Sequence, residues 1–352
     1  VSMRRSWKVL QIARPQIVDK LRLSRCSSTP KKDEMLRKMS LTFDPTGGAA
    51  PGHERTVEAV YQDTAPSGSS IGTVVATHGS PGSHKDWKYI TPRLAEKGIR
   101  MIGINFPGFG FTQDLPDLTH DNVERTAFIQ ALIDKLGLTE RIIFIGHSRG
   151  AENALKMAAM NKDRTVAAIM LNCPGLRIHR GIRPFGVIAL IRSLHNNHRW
   201  TRAPLERIMY WYYNRIGLKL YEGRIAINSV KTMYTTSLEK QKPILDEIVR
   251  DGRIRLMLGY SGNDFLIETE ISREFASHFP DRQHIDCHTA DKTEEDRVIE
   301  ELRQAFGPSG RRSVSIEFSP DNHFLQKHRA RVFAAGIEQL FESAGKGYGS
   351  RL

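Results

Sequence analysis

Gly146-His147-Ser148-Arg149-Gly150 sets a serine between glycines two residues before and two after it. A serine hydroxyl becomes a nucleophile when the chain lifts it clear and a neighbouring base takes its proton. The glycines meet the first need, because a serine at a tight strand-to-helix turn requires a strained backbone and close approach of other chain. Ile142, Ile143, Phe144 and Ile145 precede the motif as a short apolar run, the pattern of a strand buried on both faces. Ala151, Ala154, Leu155, Ala158 and Ala159 follow it at helical spacing. The N-terminus of that helix would face any negative charge forming beside Ser148.

A base and an acid complete such chemistry, and the elements decide which residues can serve. Segments at 71–77, 100–105, 142–145, 165–171 and 254–258 read as strands, and Thr56–Tyr61 and Ser313–Phe318 alternate like half-buried ones. Helical patterns alternate with them, notably at 86–97, 121–136 and 268–278. That rhythm predicts an α/β fold built from βαβ units around a mostly parallel sheet with flanking helices. Groups converge in such a sheet only at the carboxyl ends of its strands, which filters the thirteen histidines. His323 lies just past the last strand, where a base could reach Ser148; the other reading is an ordinary surface histidine. Asp264 lies just after the strand at 254–258, behind Gly259, Gly262 and Asn263, where it could orient that base; the other reading is a turn Asp capping a helix. His147 reads as packing under the turn and His78 as shaping its own loop. His284 and His288 have no third ligand close in sequence, so no metal site is expected.

Taken in order, Ser148, Asp264 and His323, each beyond a strand end, resemble the α/β-hydrolase superfamily over about residues 55–345. His78-Gly79-Ser80-Pro81-Gly82 resembles that family's His-Gly motif, and Asn105-Phe-Pro-Gly-Phe-Gly-Phe-Thr112 its Asp-x-x-G-x-G-x-Ser loop. The resemblance implies a Ser148–His323–Asp264 triad and an oxyanion hole made by the N–H groups of Ser80 and Arg149. It also implies a helical cap at 177–250, where the sequence turns basic and aromatic, between core parts at 44–176 and 251–352. Asn105 departs from the usual Asp, and Asn322 stands where Gly commonly precedes the base. A serine nucleophile separates the chain from the Asp-nucleophile epoxide and haloalkane hydrolases that share the His-Gly-x-Pro loop. The chain is most similar to an uncharacterised group of nematode α/β-hydrolase-like proteins.

The 352 residues can bury a large core, and no run approaches the roughly 18 apolar residues of a membrane span. Cys26, Cys173 and Cys287 are scattered and odd in number, which points away from a disulfide framework and toward an intracellular, reducing setting. The net charge of +13 is uneven: residues 1–40 carry +8, residues 177–250 carry +9, and the remainder −4. No nucleic-acid motif accompanies either basic stretch. Residues 1–43 read as a basic N-terminal extension. Its Arg- and Ser-rich, acid-poor composition is that of a mitochondrial transit peptide or of a plain basic tail, so both a mitochondrial and a cytoplasmic address fit. Residues 282–311 read as a polar surface excursion with one helix, and Tyr210-Trp-Tyr-Tyr213 as the core of the cap, with a wall of the substrate site as the alternative.

These features together predict a serine hydrolase of esterase or lipase type, acting on a carboxylic ester, thioester or related acyl bond with no cofactor. The rival is a catalytically silent protein that binds an apolar or anionic ligand under its cap. A small acyl substrate is the expected partner. The basic, aromatic cap suits either an anionic substrate or the surface of an anionic membrane.

Overall fold

The computed structural model describes residues 35–348 apart from residues 51, 308 and 309. The transit-like pattern up to residue 34, with Cys26, lies outside the described residues.

Among the described residues, nine strands make up the sheet: β1 (Leu36–Phe43), β2 (Arg55–Asp63), β3 (Thr73–Thr77), β4 (Arg100–Ile104), β5 (Ile142–His147), β6 (Thr165–Leu171), β7 (Arg255–Ser261), β8 (Arg282–Cys287) and β9 (Ser313–Phe318). Their spatial order is β1-β2-β4-β3-β5-β6-β7-β9-β8. All pairs from β4 to β8 are parallel, and β1 and β2 add an antiparallel edge. β3, β4, β5 and β9 are buried at every position, which explains the largely apolar runs of β3 and β5; the alternating β9 is buried on both faces as well. Ile142 and Phe144 of β5 join the core on one face, and Ile143 and Ile145 the core on the other. Helices α2 (Asn122–Lys135), α3 (Arg149–Met160), α7 (Gln241–Asp251) and α8 (Thr269–Ser277) cover the first face; α1 (Thr91–Glu96), α9 (Lys292–Ala305) and α10 (Ala330–Tyr348) cover the second.

Two expectations about the edges need correction. Residues 36–43 belong to the sheet, not to an extension: β1 pairs with β2 along its whole length, and Leu41 and Phe43 are buried against α2. Phe43 meets Phe128 edge-on at 5.4 Å. The signal was the alternation of Met39, Leu41 and Phe43, masked by the basic pair Arg37 and Lys38 just before it. Residues 282–287 are likewise a strand, β8, which buries Ile285 and Cys287 and pairs with β9.

A helical insertion separates β6 from β7. It comprises α4 (Phe185–Asn197), α5 (Arg202–Arg215) and α6 (Gly223–Tyr234), followed by α7. α6 buries seven of its twelve residues, and α4 and α5 pack on it. α4 has no buried residue and α5 only Met209 and Tyr213. α6 is therefore the seat of the insertion, while α4 and α5 form its outer layer. Among the described residues, no helix is long and apolar enough to cross a membrane.

Candidate active site

The turn between β5 and α3 puts Ser148 at φ 51° and ψ −127°, a conformation that non-glycine residues rarely adopt. Two hydrogen bonds hold it there: Ser148 N–H donates to Leu171 O and Ala151 N–H to Ser148 O, both at 2.8 Å. The flanking glycines are sterically required. A Cβ at Gly146 would collide with Gly150 and Ala151, and one at Gly150 with the carbonyl oxygens of Thr77 and His78.

The loops after β7 and β9 bring Asp264 and His323 together. His323 Nδ1–H donates to Asp264 Oδ2 at 2.7 Å, with both side chains almost fully buried. Asp264 Oδ1 accepts from Leu266 N–H at 2.8 Å and Ile267 N–H at 3.1 Å. Burial would raise the Asp264 pKa, but His323 and these hydrogen bonds outweigh it and hold the carboxyl below its usual value. The acid is thus ionised, and its partner ring carries the proton on Nδ1. The Ser148 hydroxyl forms no hydrogen bond to His323, a link that often closes only when substrate binds.

A buried polar frame positions the base loop. His147 Nε2–H donates to the carbonyl of His323 at 2.7 Å, and Gln326 donates to His147 Nδ1 at 3.3 Å. Asn172 Nδ2 donates to the same carbonyl at 2.9 Å, and Ser261 Oγ to that of Asn322 at 2.7 Å. Arg329 Nε anchors Asp321 at 2.7 Å. Burial drives the His147 pKa to about 3, so this ring stays neutral and structural. Asn322 accepts from Phe324 N–H through its side chain and needs no left-handed backbone.

The His78–Gly82 loop approaches the turn so closely that a Cβ at Gly79 would lie 3.3 Å from Ser148 Cβ. His78 Nδ1–H donates to Gly79 O at 2.6 Å, and Nε2 accepts from Phe106 N–H at 3.3 Å, which fixes a neutral ring that burial also favours. Asn105 accepts from His84 N–H at 2.9 Å and donates to Val60 O at 2.8 Å. A carboxylate could not make the second bond, so the Asn serves this version of the loop.

Ser80, Ser148 and Arg149 lie at one side of a cavity of about 620 Å³. Its other walls are largely apolar, from α4, α5 and the loops at 174–184 and 265–266. Trp211, Tyr212 and Tyr213 line it, with Trp211 and Tyr212 also exposed to solvent. The aromatic run is thus split: Tyr213 is core as well as cavity wall, Trp211 and Tyr212 are wall, and Tyr210 does not line the cavity, since four consecutive helical residues cannot all face one side. The Arg149 side chain turns away and joins three elements: it donates to Asn122 Oδ1 at 2.6 Å, pairs with Glu152 at 3.1 Å and donates to the Thr232 carbonyl of α6 at 3.2 Å. His179, absent from the sequence-based candidates, is buried in the cavity wall within electrostatic reach of His323 and Asp264. No residue spacing could have signalled it.

His284 does acquire acidic neighbours, Asp286 and Glu317, with which it could hold a metal ion. Both Glu317 oxygens are already engaged by Arg273, at 2.6 and 2.9 Å. His284 Nδ1 is shared with Ser315. The cluster is an ion-pair network at the β8 edge, remote in sequence from the turn at Ser148.

Comparison with known proteins bears on the fold and the family. An uncharacterised protein of Caenorhabditis elegans is 32% identical over 352 residues, 96% of this chain and 97% of that one. Bifunctional epoxide hydrolase 2 of Sus scrofa is 29% identical over 116 residues, 33% of this chain but only 21% of that protein. Among solved structures, a bromoperoxidase from Bacillus anthracis matches with a TM-score of 0.57 at 17% identity, covering 87% of this chain and all of the other. A thermophilic esterase from Thermogutta terrifontis matches with 0.58 at 15%, covering 86% and 97%. These likenesses show the α/β-hydrolase fold. The family described as alpha/beta hydrolase of unknown function (DUF1057) matches residues 45–342, and the chain belongs to it.

Proposed function

We propose that the chain is a serine hydrolase that cleaves a carboxylic ester, thioester or related acyl bond. The observation that carries this reading is the Asp264–His323 pair, bonded at 2.7 Å beyond β7 and β9, on the same sheet end as the strained Ser148. Ser148 Oγ attacks the acyl carbon while His323 Nε2 takes its proton; Asp264 keeps the imidazole oriented and stabilises its charged form. The N–H groups of Ser80 and Arg149, the latter at the start of α3, receive the oxyanion. His323 then protonates the leaving group, and water activated by the same ring releases the acyl chain. These steps use only side chains, backbone N–H groups and water. The insertion acts as a cap, and the apolar wall it supplies suits an acyl chain.

The partial similarity to an epoxide hydrolase raises epoxide opening as a rival, but the nucleophile argues against it. Serine attack on an epoxide would leave an ether that water does not readily cleave. Attack on an acyl carbon leaves an ester that turns over. A second reading, a silent protein that binds a ligand under its cap, draws on the open Ser148–His323 link. A fluorophosphonate probe separates the two: labelling of wild type but not of Ser148→Ala supports catalysis, and absence of labelling supports the silent protein. A panel of p-nitrophenyl esters of increasing chain length, run on both proteins, then reads the acyl preference. Fusing residues 1–40 to a fluorescent protein tests the address; mitochondrial signal supports a transit peptide, and diffuse signal refutes it.

A further inference from the structure

The outer layer of the insertion exposes large apolar side chains in a row. On α5, Ile208, Trp211, Tyr212 and Ile216 recur at spacings of three and four and are 39–65% exposed. Val187 of α4, half exposed, borders the same opening. All five also line the cavity that holds Ser148, so its mouth lies on this surface. Trp200, just before α5, is 78% exposed and lies outside the cavity. A monomer rarely exposes so much contiguous aromatic and aliphatic area without a partner for it.

The charge on this layer names the partner. Residues 178–221 contain eight Lys and Arg and a single acid, Glu206. Arg207, Trp211 and Arg215 stand at i, i+4 and i+8, interleaving cations with the apolar row. Arg199, Arg207 and Arg215 are exposed and have no acidic partner among the described residues. Indole rings flanked by arginines match the boundary between headgroups and acyl chains of an anionic bilayer, where rings enter the interface and guanidinium groups meet phosphate and carboxylate.

We propose that α4, Trp200 and α5 dock this protein on an anionic phospholipid surface, with the mouth of the Ser148 cavity facing the lipid. An apolar acyl substrate would then enter from the membrane without crossing water. That second part rests on the hydrolase reading; the docking does not.

The test floats the full chain with phosphatidylcholine vesicles prepared with and without phosphatidylserine. Wild type should float with the phosphatidylserine vesicles only and be released by salt, since screening acts over about 8–10 Å. Each arginine removed should weaken binding about fivefold, the equivalent of roughly 1 kcal/mol per basic residue at an anionic surface, so R199Q/R207Q/R215Q should lose on the order of 100-fold. Trp200→Ser should weaken it further. None of these four residues lines the cavity, so unfolding temperature and turnover of a short soluble ester should stay unchanged. Ser148→Ala should bind vesicles like wild type, which keeps failed docking distinct from failed chemistry. Flotation that is equal with both vesicle types, or absent from both, overturns the proposal. Binding that survives all four substitutions also overturns it, by placing the contact elsewhere on this basic chain. So does concentration-dependent self-association that these substitutions abolish while vesicles are ignored.

Discussion

Replacing Ser148 by alanine and by glycine separates the chemistry of the side chain from the strain of its backbone. At φ 51° and ψ −127°, a residue with a Cβ costs about 1–3 kcal/mol. Ser148→Ala keeps that cost and removes only a hydroxyl without a hydrogen bond, so its stability should stay near wild type. Ser148→Gly relieves the strain. The turn cannot relax in either variant, because the bonds from Ser148 N–H to Leu171 O and from Ala151 N–H to Ser148 O do not involve the side chain. Glycine brings its own penalty, about 0.5–1 kcal/mol of extra chain entropy in the unfolded state. The balance leaves Ser148→Gly about 1 kcal/mol more stable than Ser148→Ala, worth about 1–2 °C in a chain of 352 residues. Urea unfolding and scanning calorimetry of the three proteins measure it, beside p-nitrophenyl ester turnover. Both variants should be inactive. If glycine is no more stable than alanine, the strained turn is not what the sequence supports; if either variant keeps its activity, Ser148 is not the nucleophile.

Three other predictions follow from the same geometry. His323→Ala should lower ester turnover by on the order of 10³-fold or more, with Asp264→Asn similar or milder, because triad members act as a unit; an unaffected His323→Ala would refute the base. Leu41→Ala or Phe43→Ala should destabilise by about 2–5 kcal/mol in urea titrations, as expected for core side chains, and a result near zero would return residues 36–43 to an extension. Stability should also fall in acid. Burial holds His147 and His120 neutral to about pH 3 and depresses His78 likewise, while an unfolded histidine protonates near 6.5. The unfolded state therefore binds more protons between pH 6.5 and 3, and each ring removes about 1.4 kcal/mol per pH unit in that window. Glu124 and Asp86, both raised to about 7 by burial, work the other way from pH 7 down to about 4. The decline should thus be shallow above pH 4.5 and steep below it. His147→Gln, which can still donate to the His323 carbonyl, should lessen the slope by one histidine's share; an unchanged slope would mean that His147 titrates in the folded protein.

Local signals sufficed where one segment answers to its own neighbours. Ile142–Ile145, the two glycines around Ser148 and the alanine-rich start of α3 each state a strand, a turn and a helix within twenty residues, and the turn needs no distant partner to be read. Asp264 and His323 were reachable because a parallel sheet gathers its functional groups at one end, so position after a strand was enough to select them. Other features depend on residues far apart in the chain. Leu41 and Phe43 count as core only because β2 and α2 lie beside them, and the same alternating pattern would suit an exposed basic tail. His179 enters the cavity wall through the path of the chain after β6, and the neutral His147 owes its role to carbonyls and amides more than 150 residues away. Tyr210–Tyr213 read as cap core, with substrate wall as the alternative, because an aromatic side chain gains from burial in either a protein interior or a ligand site. Only the packing of α5 on α6 decided that Trp211 and Tyr212 stand between the cavity and the solvent. Sequence carries what nearest neighbours along the chain impose; which side chains meet across the fold is a property of distances that no spacing records.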